Sequence, residues 1–500
     1  MVEDLRRVDP DSVQRALDNA SAGQVIQLSP RRYTKPLRLV GRRGDRARPI
    51  TIRGGPGVVL DGGIPFAVFN NRANLVARAD CLRGRGYPGI QAIATEAFLT
   101  IDSSDHVVVE DLSIRGAWPT AVFVDTSASV RLSRIHVRES SFAFFLHGER
   151  TSDITICHCR WLQDVNRGDI WRRIPWKYIH SETFSDGDAR AFDGDFIRSY
   201  RIRGRLHVHH NWIEHCFNGI QCFNRRDYRD ATLNSDVVIH DNVFRYVRDN
   251  VIEPEVEAHN WWVFRNRIFN CHAPFSLEME RSSNFYIFEN TYWFDEQQGV
   301  PDTDKNRGGC FFKLGSEGPP PSEVTHYFFN NSLFLRSPLI KNGTFGGLLV
   351  KNNVIGYASA MGIEVPDCET KSKFLGDLAG QPVDDRFVTD WPTNRIVFDN
   401  NCICNEQVPD EVRASDYPLE RTSTDLAFAD PLRGDLTATT TAVPMSVDLV
   451  LPSGRSVTVT PARMGASHPR EALELPVTLA DMLPPLADEL RDACESAHSV

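Results

Sequence analysis

The residues best suited to chemistry are Glu253, Glu255 and Glu278, with Lys313 and His272 in neighbouring stretches of the chain. The segments NGIQCF (218–223), NVIEPE (250–255), FSLE (275–278) and FFKLG (311–315) share one alternating pattern and align on one another. As adjacent strands of one sheet, they would place Gln221, Glu253, Ser276 and Lys313 in a single outward column. Phe223, Glu255, Glu278 and Gly315 would fill the next outward column, and the FFLHGE segment adds His147 and Glu149. Strands in such a stack lie ~4.8 Å apart, so carboxylate oxygens from several of them can meet around one ion. Carboxylates that close repel one another unless a cation or a basic side chain offsets them. Calcium, which takes many oxygen ligands in a flexible shell, suits such a set, and Glu253, Glu255 and Glu278 are its expected ligands. Lys313 and His272 are the expected proton acceptors; the lysine needs its pKa lowered for that role, the histidine does not. The plainer alternative makes the glutamates surface charges paired with Arg225, Arg226, Arg248 or Arg281.

The elements that must position these residues are announced by a row of asparagines. LHVHHNWIEHC (206–216), VVIHDNVFRYV (237–247), WWVFRNRIFN (261–270), FYIFENTYWF (285–294), HYFFNNSLFL (326–335) and LLVKNNVIGY (348–357) are variants of one segment. Their shared positions are Asn211, Asn242, Asn266, Asn290, Asn331 and Asn353. Short alternating apolar runs repeating at 22 to 41 residues, without helical heptads, predict an all-β fold, a single-stranded parallel β-helix whose rungs stack like residues on like. Asp11 or Ser12 reads as the N-cap of a short helix closing one end, since an uncovered solenoid exposes core and strand edge.

The predicted organisation is an N-terminal cap with the first rungs at 1–63, the β-helix at 64–404 and a closing segment at 405–500. Two insertions interrupt the rungs, a loop at 166–203 and an irregular stretch at 361–391. MSVDLVLPSGRSVTV (445–459) reads as a hairpin and 486–497 as a terminal capping helix. Trp171, Trp176 and Tyr178 in the first insertion are expected to overhang the carboxylate face and stack on sugar rings, or else to pack against the solenoid. Gln221, Arg225, Arg226, Trp171, Trp176 and His147 make up the expected substrate-binding set. Asp186, Asp188, Asp193 and Asp195 have the composition of a second ion loop without EF-hand order. His207, His209, His210, Glu214 and His215 invite a metal reading, but strict alternation divides them between the two faces of a strand.

A formal net charge of −10 argues against a general nucleic-acid binder, which depends on phosphate neutralisation by Lys and Arg. No apolar run approaches the ~18–20 residues of a membrane span, and MVEDLRRVDPDSVQ shows no apolar h-region, so a cytoplasmic chain is expected, or an extracellular or periplasmic one whose leader has been removed. Eleven cysteines, an odd number seated mostly in strand patterns, read as buried free thiols.

The stretch at 22–63, with GQVIQL, YTKPL and PITIRG, resembles the opening of right-handed parallel β-helix proteins of the pectate-lyase-like superfamily. The passage at 242–290 is similar to the alginate lyase and chondroitinase B type of that fold. The resemblance implies that an asparagine and an E-x-E-like pair hold calcium, a lysine abstracts the C5 proton and an arginine follows on the next rung. Glu253 and Glu255 match the acidic pair and Arg281 the arginine. Where the resemblance expects the lysine, after Glu255, the chain has Val256, Glu257, Ala258, His259 and Asn260, leaving Lys313 or His272 as base. The implied activity is cation-assisted β-elimination of an acidic poly- or oligosaccharide, with Glu253, Lys313, His272 and Arg281 in the catalytic set. The alternatives are a glycoside hydrolase with paired carboxylates, a C5 epimerase and a non-catalytic glycan-binding β-helix.

Overall fold

The computed structural model describes residues 12–71, 96–180, 189–224, 230–279, 282–294, 310–314, 325–335, 339–341, 347–357, 396–404, 421–422, 428–440, 442–466 and 475–484, with the short strand Arg7–Val8. The chain coils as a right-handed parallel β-helix. Ten parallel strands build one sheet, in spatial order from Leu37–Val40 through Phe142–His147, Asp195–Tyr200, Asn218–Phe223, Asn250–Val256, Ala273–Met279 and Phe312–Leu314 to Ile340–Lys341. A second sheet of 24 strands holds the other two sides of each rung. One rung runs Ser235–His240, then Val243–Val247, then Asn250–Val256; the first two strands lie in the large sheet and the third in the ten-stranded sheet.

Alternation explains the core. Inward residues such as Ile220, Ile252 and Phe275 stack in register and are fully buried, and the same holds rung after rung. The asparagine row forms a continuous hydrogen-bonded ladder. Each side-chain oxygen accepts both the backbone N–H and the side-chain amide of the preceding rung's asparagine, from Asn211 to Asn242 (3.0 and 2.9 Å) and on through Asn266, Asn290, Asn331 and Asn353 to Asn401. The residue before each asparagine is left-handed: His210 (φ 56°), Asp241 (54°), Arg265 (53°), Glu289 (54°), Asn330 (53°), Asn352 (56°) and Asn400 (52°). The corner therefore turns every asparagine inward and swings its predecessor outward.

The ends and faces are covered. Helix Val13–Asp18 buries Val13 and Leu17 against the first strands. The antiparallel hairpin Val447–Val450 with Ser456–Val459 lies over the outer face of the large sheet, packing on Trp262, Phe264, Tyr286 and Phe288. The expected terminal helix at 486–497 and the insertion at 361–391 lie outside the described residues. Among the described residues the cysteines are buried free thiols, and no helix is long and apolar enough to cross a membrane.

The insertion boundary needs correction. Residues 195–200, assigned from sequence to the loop at 166–203, form a full strand of the ten-stranded sheet, pairing Phe142–His147 on one side and Asn218–Phe223 on the other. The remaining loop folds onto the outer face of that sheet, where Ile170, Ile179 and Phe192 pack with Phe123, Phe142, Phe145 and Phe217.

Candidate functional site

The site is a polar stretch in the outward face of the ten-stranded sheet. The register pairs Arg198 with Gln221, Gln221 with Glu253, and Ser276 with Lys313, which in turn pairs Lys341. Since Ile252 pairs Phe275, Glu253 stands opposite Ser276, and one column reads Arg198, Gln221, Glu253, Ser276, Lys313, Lys341. Two residues along, Phe223 pairs Glu255 and Glu255 pairs Glu278. Toward the N-terminal ends of the strands Asp195 pairs Asn218. Gly219 makes the close stacking feasible, since a Cβ there would lie 2.2 Å from the Val251 carbonyl oxygen.

Side chains tie these columns together. The Asn218 side-chain oxygen accepts the Asn250 backbone N–H (3.1 Å), and the Asn250 amide donates to Glu253 Oε1 (2.7 Å). The Gln221 amide donates to Glu255 Oε1 (2.6 Å). Both glutamates are buried, at 4% and 9% exposure. Two buried carboxylates two residues apart on one strand concentrate negative charge on the outward face. Three further oxygens, Gln221 Oε1, Asn250 Oδ1 and Ser276 Oγ, are buried without a hydrogen-bond partner among the described residues. Five oxygen-bearing side chains from three rungs, three of them with an unused buried acceptor, make a donor set of the hard, all-oxygen kind that calcium takes. The residues present therefore fit a calcium ion.

Cationic groups bracket the acids. On one side Arg198, 3% exposed, holds Asp195 (Nε to Oδ2, 2.5 Å) and lies over the Phe223 ring at 5.0 Å. Burial pushes the Asp195 carboxyl up to about 7, against the opposing pull of Arg198. On the other side Lys313, half-buried, sits two rungs from Glu253, about 10 Å along the stack. His272 is buried at the corner preceding Ala273, its backbone N–H bonded to the Val247 carbonyl. Arg248, fully buried, occupies the equivalent corner one rung earlier.

Several expected residues are not gathered there. Trp171 is 3% exposed within the main core, its ring against Tyr246 (5.6 Å) and Phe294 (6.4 Å), so it cannot stack on a sugar. Trp176 is half-buried and stacks on His180 (4.5 Å), packing within the loop's own cluster. His147 bonds Asp125 (2.9 Å) and stands three rungs from Glu255, because the strand at 195–200 and that at 218–223 intervene. Asp193 and Asp195 do not form an ion loop; each is paired with an arginine, Arg190 and Arg198. Only the backbone of Glu278 is described, and Arg225, Arg226 and Arg281 lie outside the described residues, as do Asp186 and Asp188. Sequence reading missed Arg198, Asn218 and Asn250 and put Asp195 in a second ion loop, although the D-x-x-R and N-x-x-Q/E spacing of DFIR, NGIQ and NVIE was a legible signal.

No protein-family model matches the sequence, and no curated protein matches it. Among solved structures the chain is similar to the polysaccharide lyase family 6 alginate lyase AlyGC, with 12% identity and a TM-score of 0.47 over 96% of this chain and 59% of that one. It is similar to a mannuronic acid specific family 6 polysaccharide lyase from human gut microbiota, with 13% identity and a TM-score of 0.40 over 80% of this chain and 72% of that one. It is also similar to a GH136 lacto-N-biosidase from Eubacterium ramulus, with 10% identity and a TM-score of 0.35 over 77% and 62%.

Proposed function

We propose that the protein is a calcium-assisted lyase that cleaves a uronate-containing glycan by β-elimination at the face bearing Glu253 and Glu255. The single observation carrying this reading is the buried donor set: two carboxylates and the unsatisfied oxygens of Gln221, Asn250 and Ser276 in three consecutive rungs. Gln221, Glu253 and Glu255 would hold the cation, with Asn250 and Ser276 beside them. When bound, it supplies neutralisation of a uronate carboxylate, which makes the adjacent C5–H more acidic. The sequence resemblance at 242–290 points to the same pair of glutamates.

The chain's own residues divide the remaining work. Asn218 and Asn250 fix Glu253, and Gln221 fixes Glu255, so both carboxylates are presented in set rotamers. Arg198, paired with Asp195, holds one end of the column in place. Lys313, on the same outward column and only half-buried, is the proposed base that takes the C5 proton; His272 is enclosed at the corner. The stereochemical partner Arg281 is proposed from the resemblance alone.

Hydrolysis by the same pair is the reading this geometry favours less. A glycosidase of that kind works with two carboxyls and no cation, which leaves the unsatisfied oxygens of Gln221, Asn250 and Ser276 without a role. Ultraviolet absorbance of unsaturated uronate products, measured on polymannuronate, polyguluronate and pectate before and after chelation, tests the proposal. Elimination gives absorbance that chelator abolishes and calcium restores. New reducing ends without absorbance, or turnover indifferent to chelator, would overturn it.

A further inference from the structure

On the large sheet, away from the carboxylate site, five histidines and an aspartate gather on the outer surface. His209 pairs Cys157 on one side and His240 on the other, so it belongs to an outward column. His158 (φ 56°), His210 (56°) and Asp241 (54°) occupy the left-handed corner of three successive rungs, which swings their side chains out beside that column. Alternation alone separates His209 from His210; the corner brings them back together, with Nδ1 of each 2.9 Å apart. Ligand nitrogens of His158, His209 and His210 all lie within 4.8 Å of one another.

We propose that His158, His209 and His210 form a binding site for a divalent transition-metal ion of the zinc class, separate from the carboxylate site. An ion with ~2.0–2.1 Å bonds to nitrogen draws tetrahedral ligands to ~3.4 Å separation, within the 4.8 Å span that the three nitrogens already share. An all-imidazole set selects zinc, cobalt, nickel or copper over calcium and magnesium, which prefer oxygen. Asp241 is committed elsewhere. It accepts from Arg265 (2.9 and 2.8 Å) and holds His240 Nδ1 at 2.6 Å, so it orients His240 alongside the three ligands. His240 in turn stacks parallel on His209, ring centres 5.2 Å apart.

The competing explanation is a simple aromatic stack. His240 does continue onto Phe264 at 4.9 Å, nearly parallel, where the C-terminal hairpin begins to cover the sheet. A stack accounts for His209 and His240. His158 and His210 join it only through tilted and edge-on ring contacts, and stacking does not require the ligand nitrogens of His158, His209 and His210 to lie within 4.8 Å of one another, as they do. His158 and His210 also line a groove of about 900 Å³ with His136, Arg160 and Trp212, through which an ion or a small ligand could reach them.

The test is a titration of the full chain, stripped with chelator, with Co²⁺, read by d–d absorption and by competition with Zn²⁺. His158→Asn and His210→Asn are the variants of choice, because Asn already occupies this corner at Asn330, Asn352 and Asn400 with the same left-handed backbone. One equivalent of Co²⁺ with tetrahedral absorption, weakened on the order of 100-fold by either substitution and untouched by Glu253→Gln, is the expected result. Absence of binding, binding that survives both histidine substitutions in folded protein, or binding lost with Glu253→Gln overturns it.

Discussion

Two stacks of buried polar side chains run along the same solenoid, and they differ in one respect. In the asparagine ladder every amide is used: the Asn266 side-chain oxygen accepts two N–H groups from Asn242, and its NH₂ donates to the Ile239 and Phe264 carbonyls and to Asn290. At the outward column, Gln221 and Ser276 within it and Asn250 at the start of the middle strand each keep a buried oxygen unsatisfied beside two carboxylates. A satisfied stack rigidifies and specifies the rungs; an unsatisfied one stores a cost that a ligand can relieve. Stability and function are thus written in the same vocabulary of stacked amides and separated by whether the hydrogen bonds close.

The sharpest way to break the comparison is Asn266→Ala. It deletes five hydrogen bonds and leaves several buried backbone and amide groups unpaired, so we expect a loss of roughly 3–5 kcal/mol in unfolding free energy. Chemical denaturation reads this directly. A change under about 1 kcal/mol would mean that water replaces the ladder and that its stacking is decorative.

Glu253→Gln and Glu255→Gln should do the opposite. Activity falls on the order of 100-fold or more, as removal of a preorganised electrostatic group does. Stability without calcium holds or rises, because a buried carboxylate is replaced by an isosteric amide. Calcium should raise the melting temperature of the parent chain and not of either variant. Full activity in both variants would return the glutamates to a purely structural role.

Much of this contrast was legible in the chain. The asparagine row predicted the solenoid because only like-on-like stacking rewards one polar residue per rung, and the alignment it supplied put Gln221, Glu253, Ser276 and Lys313 in one column, as the register has them. What was not legible had physical causes. DFIRSY (195–200) was hidden because its rung lacks the asparagine and follows an acidic, glycine-rich stretch, so Asp195 and Arg198 were assigned to a loop. His210 was placed on the wrong face because period-two counting fails where φ turns positive. Trp171 was taken for a surface aromatic because its loop folds back into the core, which no local pattern reports.

Asp195 sharpens the comparison through pH. Its folded pKa is raised to about 7 by burial despite Arg198, whereas an unfolded aspartate titrates near ~3.9. The native state therefore holds the extra proton between those values, and this group's contribution to stability, full below ~3.9, is lost as pH rises toward about 7. Asp195→Asn should flatten that fall. Its melting temperature relative to the parent chain should improve between about pH 5 and about pH 8, read by thermal melts across that range. An unchanged difference would show that Asp195 is ionised throughout and fully served by Arg198.

The smallest expected effect is the most discriminating. Ser276 is fully buried with an unpartnered hydroxyl one register position from Glu253. In a satisfied stack, removal of a hydroxyl costs about 1 kcal/mol. Here Ser276→Ala removes a desolvated oxygen that bonds nothing among the described residues, so calcium-free stability should stay level or rise slightly. Calcium affinity should weaken a few-fold at the same time, as measured by calorimetry. Opposite signs in the two measurements mark an oxygen kept for a ligand. A loss of stability with unchanged affinity would place Ser276 in the same class as the asparagines behind it.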